Sequence, residues 1–140
     1  MQLVPYFDGF KKDNSVNLDR DRLDNTIRGH YGVRNYKISE VAISYINKFI
    51  ELSEDNDMKL IFINTPVHRD YFEKIPKVFL EKYAGIQNDL EQKKNIYFLD
   101  YSNLKLEDKY YLNYDHTNLS GAKIVSEKLN TFLKQELENE

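Results

Sequence analysis

The sequence predicts an α/β protein whose helices and strands alternate along the chain. Two short apolar runs, at residues 59–64 and 95–100, are rich in β-branched and aromatic side chains, a composition typical of buried parallel strands. Amphipathic helical patterns precede, separate and follow these runs. Because right-handed crossovers place helices on the faces of a parallel sheet, this order predicts a three-layer α/β/α fold.

The first 37 residues differ from the rest, and we predict that they form an irregular segment. Glycines punctuate them, and charged residues are dense between Lys11 and Arg28. Leu18, Leu23 and Ile27 have the spacing of a short helix. The predicted units are therefore residues 1–37 and an α/β part at 38–140. Aromatic side chains are expected to hold the first unit against the core: Tyr6, Phe7, Phe10, Tyr31 and Tyr36.

Three helices are predicted in the α/β part. Ser39 is a suitable N-cap for the first, and the polar residues 55–57 end it. The second occupies residues 67–92 and is broken near Pro76, because proline removes a helical hydrogen bond. The third begins near Asn118 and carries an apolar face.

Two strands are too few for a doubly wound sheet, which usually has about four to six. The chain is therefore expected to be the C-terminal part of a larger fold, truncated on its N-terminal side, or a trimmed relative of that fold. Either case would leave a sheet edge and an apolar face uncovered. We therefore expect a homo-oligomer or dependence on a further segment.

Length and composition limit the kind of protein that this chain can be. A chain of 140 residues suits one domain, and 41% hydrophobic residues argue against general disorder. The net charge of -3 gives no electrostatic case for nucleic acid. No apolar run approaches the roughly 20 residues of a membrane helix, and the absence of cysteine excludes disulfides. Residues 1–10 lack a signal-peptide pattern, so a cytoplasmic location is expected if Met1 is the native start.

Ligands of open α/β sheets bind beyond the carboxyl ends of the strands. Residues 64–68 follow the first strand. Residues 100–103 follow the second strand. They open a tyrosine-rich loop, predicted at 101–116, whose end carries Asn113, Asp115 and His116. These three segments should converge. The candidate catalytic residues are therefore His116, Asn113 and Asp115, and the candidate substrate-binding residues are Asn64, Thr65 and His68.

His116 has two interpretations. It can be a general base, which needs an acceptor that orients its second ring nitrogen. Alternatively, residues 115–118 are ordinary helix-start chemistry and His116 is a bystander. His68 and His30 are expected to be surface or loop histidines. His68 and Asp100 could join the Asp115–His116 pair at a metal, but the sequence has no metal-ligand spacing, so no metal site is predicted.

The run at 113–122, Asn-Tyr-Asp-His-Thr-Asn-Leu-Ser-Gly-Ala, resembles the last conserved block of the SGNH, or GDSL-like, hydrolases. In many members that block reads Asp-x-x-His-Leu-Asn-x-x-Gly-Ala. Residues 60–68 also look like a strand and loop of bacterial members related to cell-surface O-acylation proteins. The resemblance spans roughly Ile38 to Leu137. It implies a flavodoxin-like sandwich and a serine esterase or O-acyltransferase that acts on an acylated carbohydrate or another ester, with His116 as base and no cofactor.

The chain departs from that family at two places. Asn113 stands where the family has an aspartate, and a neutral amide cannot stabilise imidazolium by charge. The same exchange costs about 10⁴-fold in serine proteases, and Asp115 is the candidate substitute. The family's Gly-Asp-Ser block has no counterpart, because no Gly-x-Ser occurs and Ser15 lies in a polar stretch. The chain is therefore predicted to be an inactive fragment on its own, with Asn64 an oxyanion-hole candidate by position.

Two further classes stay open beside the fragment of an acyl hydrolase or acyltransferase. One is a degenerate relative that binds a carbohydrate or a protein without turnover. The other is a structural α/β domain with no ligand. A reading frame upstream that encodes a strand followed by Gly-x-Ser would favour the enzyme fragment, and a genuine start at Met1 would favour the others.

Overall fold

The structure, a computed structural model, describes residues 14–32 and 39–138. Within those residues five α-helices accompany one parallel and one antiparallel pair of strands. The elements in chain order are α1 (Arg20–Tyr31), α2 (Glu40–Asp55), β1 (Leu60–Asn64), α3 (Arg69–Phe72), α4 (Lys77–Glu91), β2 (Ile96–Asp100), a 3-10 turn (Asp108–Tyr110), β3 (Tyr111–Asn113), β4 (His116–Thr117) and α5 (Leu119–Glu138).

The two predicted strands pair in parallel, as the apolar runs predicted. Their register runs from Leu60 opposite Ile96 to Asn64 opposite Asp100. Because successive strand residues point to opposite faces, Ile96 packs with α2 and α4 while Tyr97 meets the ring of Phe132 on α5 at 5.5 Å. The mixed α/β class is thereby confirmed, and helices cover both faces of this small sheet.

Two apolar clusters form the core of residues 14–32 and 39–138. The first joins α2, α4 and the sheet through Ile50, Leu90 and Ile96, which are all buried. The second joins α1 to α3 and the β3–β4 turn through Leu23, Tyr71 and Tyr114. Leu18, Ile27 and Tyr31 pack against this second cluster, as their spacing and aromatic character predicted.

The segment predicted as irregular thus contains a helix of 12 residues. Asp19 caps α1 by accepting a hydrogen bond from the Asp21 amide. The short helix that the spacing predicted is therefore present; Leu23 is its one fully buried residue, Ile27 packs beside it, and Leu18 precedes its first turn. The other aromatic side chains expected to hold this segment, Tyr6, Phe7, Phe10 and Tyr36, lie outside the described residues.

The ends of α2 follow the predicted chemistry. The Ser39 hydroxyl accepts from the Ala42 amide at 3.2 Å, as expected of an N-cap. At the other end Asp57 adopts a positive φ of 49°, and the Met58 amide donates back to the Ser53 carbonyl at 2.8 Å. This is a left-handed helix stop, in which aspartate and asparagine are the non-glycine residues best tolerated.

The predicted loop at 101–116 is wrong in part, because it holds the β3–β4 hairpin. Asn113 pairs with His116, and only Tyr114 and Asp115 lie between them. Neither turn residue has a positive φ, so the turn is not of the Asn-Gly type that announces a hairpin in sequence. The pairing is also irregular between Tyr111 and Asn113. Strands of three and two residues are too short to show the alternation of apolar and polar residues by which a strand is predicted from sequence.

Asn118 fastens the start of α5 to this hairpin. Its side chain donates to the Lys109 carbonyl at 2.7 Å and accepts from the Gly121 amide at 3.1 Å. Its backbone amide donates to the Tyr110 carbonyl at 3.0 Å. Gly121 lies so close that a Cβ there would stand 2.2 Å from the same Tyr110 oxygen. Asn118 and Gly121, both in the run at 113–122, therefore hold α5 against the hairpin.

One face of α2 is uncovered. Val41, Tyr45, Phe49 and Leu52, called the α2 stripe below, are 53 to 66% exposed and follow one another at helical spacing. The predicted uncovered apolar face is therefore present. Among the helices in residues 14–32 and 39–138, none combines the length and the apolar character that crossing a bilayer requires.

Candidate functional site

Three segments meet beyond the carboxyl ends of β1 and β2, as the order of elements predicted. The Tyr101 amide donates to the Asn64 carbonyl at 2.9 Å. The Val67 amide donates to the Ser102 carbonyl at 3.2 Å, and the His68 amide donates to the Tyr114 carbonyl at 2.8 Å. The last bond attaches the β3–β4 hairpin to the loop after β1.

His116 is oriented by both of its candidate partners. Its Nδ1 lies 3.1 Å from Asn113 Oδ1 and 3.1 Å from Asp115 Oδ1. Cross-strand pairing explains the first contact, since directly paired residues have neighbouring side chains. The tight turn explains the second contact, because it places the Asp115 carboxylate beside the ring of His116. With the proton on Nδ1 the ring donates to these oxygens, and Nε2 becomes the acceptor.

The outer side of this ring is open. The His116 side chain is 66% exposed, whereas that of Asp115 is 15% exposed. Among the described residues, no hydrogen bond to Nε2 is found. The arrangement can therefore accept a proton from a group that approaches from solvent, and it resembles the base and orienting acceptor of a catalytic dyad.

Asp115 also faces a second hydrogen-bonded cluster. Tyr71 Oη is 2.7 Å from His30 Nδ1 and donates to Tyr31 Oη at 3.3 Å. Burial raises the pKa of the Tyr71 hydroxyl, and the contact with Tyr31 and the nearby charge of Asp115 raise it further. Tyr71 therefore stays protonated and links α1 to the side of the hairpin that carries Asp115. His30 is exposed on α1, as predicted of a surface histidine.

His68 lies in the loop after β1, as predicted, but it is not at the surface. Its side chain is 8% exposed, and it caps α3 because Nδ1 accepts from the Asp70 amide at 3.1 Å. The proton is therefore on Nε2, which lies 3.2 Å from Asp108 Oδ1. The rings of Tyr111 and Tyr114 enclose the imidazole edge-on at 5.1 Å each. Both ring nitrogens are used within the protein, so a substrate contact would have to displace one of these bonds.

The remaining candidate binding residues lie elsewhere. Asn64 donates from Nδ2 to Asp100 Oδ1 at 3.2 Å and lines a cavity of about 510 Å³ beside the strand ends. Thr65 is exposed. His116 is not among the residues that line this cavity. The structure thus brings Asn113, Asp115 and His116 together, and it places Asn64 in a separate concave site.

Ser102 belongs to the segment that was predicted to reach this edge of the sheet, and it is buried and lines the cavity. Tyr83 was not singled out from the sequence. It also lines the cavity, and its hydroxyl is buried without a hydrogen-bond partner among the described residues. A tyrosine within an apolar helical pattern gives no signal of such a role.

No group of three or more His, Cys, Asp or Glu side chains suited to a metal ion lies within the part of the chain that the structure describes.

Comparison of the chain with protein-family models, with curated proteins and with solved structures finds no match.

Proposed function

We propose that the chain carries the general-base part of an acyl-transfer site, in an SGNH-like esterase or O-acyltransferase fragment. The finer architecture in this proposal is a flavodoxin-like α/β/α sandwich truncated on its N-terminal side. The observation that carries the proposal is the position of His116, whose Nδ1 lies 3.1 Å from the oxygens of both Asn113 and Asp115.

In this proposal His116 takes a proton at Nε2 from a serine hydroxyl as that hydroxyl attacks an ester carbonyl. It then returns the proton to the departing alcohol. Asn113 supplies an acceptor that holds the ring. Asp115 supplies the negative charge that stabilises imidazolium and that Asn113 lacks.

The serine is the missing component. The sequence contains no Gly-x-Ser, and Ser102 lines the cavity beside the strand ends. The chain alone is therefore proposed to bind an ester without turning it over. Its substrate class would be an acylated carbohydrate or another small ester, with no cofactor.

A binding experiment tests this proposal directly. The amide spectrum of the full chain should shift at residues 113–117 when glucose pentaacetate is added, and unesterified glucose should leave those signals unchanged. The variant His116→Ala should weaken the acetate-dependent shifts several-fold, since it removes the ring that faces the ester. Equal binding of both sugars would favour the alternative, a non-catalytic carbohydrate-binding domain. Absence of any shift at the hairpin would refute an acyl-ester site.

The α2 stripe favours a second, compatible role in self-association. We propose that it pairs with the same stripe of a second copy. The four side chains offer roughly 500 Å² per protomer, since one aromatic residue alone buries about 150–250 Å². Two copies would bury about 1,000 Å², which is near the lower limit for a specific interface. In a two-fold antiparallel arrangement Val41 would face Leu52 and Tyr45 would face Phe49.

Light scattering on a concentration series tests the pairing. The wild-type chain should approach twice the monomer mass of 16.7 kDa, and the double variant Tyr45→Lys with Phe49→Lys should stay monomeric. Ser44→Lys with Asn47→Lys is the matched control, because it adds the same charge at exposed α2 positions outside the stripe. A wild-type monomer at high concentration, or a dimer that survives the stripe variant, would exclude this interface. In that case a different protein that binds the α2 stripe would be the alternative to test.

A further inference from the structure

We propose that the cavity beside the ends of β1 and β2 binds a small amphipathic alcohol or amine. The apolar group would lie among the side chains of α3 and α4, and the hydroxyl or ammonium would lie at the polar end formed by Tyr83, Asp100 and Ser102. The cavity shares Asn64 and Ser102 with the acyl-transfer proposal, but the two can be tested separately because His116 does not line it.

The size and walls of the cavity suit such a ligand. Its volume is about 510 Å³, within the range of about 300–1,000 Å³ that is usual for small-molecule sites. Apolar side chains of the α3–α4 region form one side, namely Phe72, Ile75, Phe79 and Leu80. Apolar walls with a few convergent polar groups are the usual composition of a ligand site.

One buried hydroxyl at the opposite end lacks a partner, and Ser102 offers a second hydroxyl there. Tyr83 Oη is buried, and no hydrogen bond satisfies it within the described residues. The Ser102 residue is 9% exposed. Its amide and carbonyl are bonded to Asp100 and Val67, but its hydroxyl makes no hydrogen bond to another described residue. Because buried polar groups are nearly always paired in native proteins, the buried and unpaired hydroxyl of Tyr83 on the cavity wall indicates that a ligand or solvent completes it.

Asp100 determines which ligands are suitable. Its Oδ1 accepts from Asn64 Nδ2 at 3.2 Å and from the Ser102 amide at 2.9 Å, which fixes the carboxylate at the cavity wall. Its second oxygen remains available for a donor. A hydroxyl or ammonium can donate to it, whereas a ligand carboxylate would be repelled at short range.

Tyr83 remains a neutral donor beside that carboxylate. Burial and, secondarily, the charge of Asp100 raise the pKa of Tyr83 to about 12. The Asn64 amide is close enough to oppose this rise, but it donates to Asp100 and makes no hydrogen bond to Tyr83. The phenol therefore keeps its proton at neutral pH and can donate to the oxygen of an alcohol. The negative charge of this end of the cavity then comes from Asp100.

A matched ligand series tests the inference on the full chain. Hexan-1-ol, hexylammonium and hexanoate share one apolar chain and differ only in the polar group. Amide spectra at pH 7 should show hexanol and hexylammonium shifting signals of α4 and of the strand ends. Hexanoate should bind at least about 10-fold more weakly, because of the fixed carboxylate. No binding by any of the three, or equal binding by hexanoate, would overturn the proposal.

Variants locate the binding within the cavity. Ala84→Phe adds a ring at a cavity-lining position that is exposed on α4, and it should abolish the shifts. Asn88→Phe is the control, because it adds the same ring to α4 at an exposed position outside the lining. Asp100→Asn keeps an acceptor for Ser102 and should remove the discrimination against hexanoate. Retained binding in Ala84→Phe, or unchanged discrimination in Asp100→Asn, would show that the ligands bind elsewhere.

Discussion

Replacing Gly121 with alanine should destabilise the fold, although alanine is the better helix former. A Cβ at this position would stand 2.2 Å from the Tyr110 carbonyl oxygen and 2.9 Å from Thr117 Cβ. Neither atom belongs to a flexible side-chain end, and the Tyr110 oxygen already accepts the Asn118 amide. The backbone of α5 or of the preceding turn would have to move, and the hydrogen bond between them would weaken.

The magnitude follows from three contributions. Overpacking of this kind costs about 1–3 kcal/mol, and loss of the backbone hydrogen bond adds about 1 kcal/mol. The helix preference of alanine offsets about 0.5–1 kcal/mol. The expected net loss is therefore about 1–3.5 kcal/mol, from the same terms. For a chain of this length that is roughly a 3–12 °C fall in Tm.

Gly85 is the matched control, because it also lies within a helix and an added Cβ there meets nothing within 4 Å. Gly85→Ala should therefore stabilise the protein by about 0.5–1 kcal/mol. Thermal and urea unfolding followed by circular dichroism would compare the two variants with the wild-type chain. If both substitutions changed stability in the same direction, the close approach at Gly121 would not be the reason for a glycine in this block.

Three further outcomes are expected. The pKa of Tyr83 is about 12 in the folded state, against 10.0 for an ordinary tyrosine, so the free energy of unfolding should fall as the pH rises through that interval. The urea midpoint of Tyr83→Phe should fall less steeply with pH than that of the wild-type chain. If both midpoints fell equally, the burial of this hydroxyl would be contradicted. Asn118→Ala should cost about 2–4 kcal/mol in the same assay, since it leaves the buried Gly121 amide and the partly buried Lys109 carbonyl without their side-chain partner. A loss below about 0.5 kcal/mol would show that water replaces the amide. Acetate release from glucose pentaacetate should be no faster with the chain than with His116→Ala; turnover that depends on His116 would reveal a nucleophile, with Ser102 and Ser15 the serines to substitute first.

The parallel strands were predictable because their burial depends on local composition. A central strand that is covered on both faces is the usual structure for a short continuous apolar run such as the one ending at Asn64. The helix starts at Ser39 and Lys77 were predictable for the same reason, since capping and proline chemistry act over a few residues. The convergence of the loops after β1 and β2 followed from topology alone.

The rest depended on contacts between distant parts of the chain. His68 is buried because Asp108 and two tyrosines surround it, and these partners lie some 40 residues further along. The equal distance of Asn113 and Asp115 from His116 required a turn without a sequence signature. The unpaired hydroxyl of Tyr83 could not be foreseen, because an amphipathic pattern places a ring in the interior without saying what its oxygen meets.

The β3–β4 hairpin is held by bonds from remote segments, and this has a consequence for hydrogen exchange. A two-stranded ribbon of this length would open constantly on its own. Here the Leu112 carbonyl accepts from Asn17, and the Tyr114 carbonyl accepts from His68. The His68 amide can exchange with solvent only when the loop after β1 separates from the hairpin, whereas the Asn17 amide lies in an exposed segment ahead of α1 and can open locally. The His68 amide should therefore be protected far longer than that of Asn17.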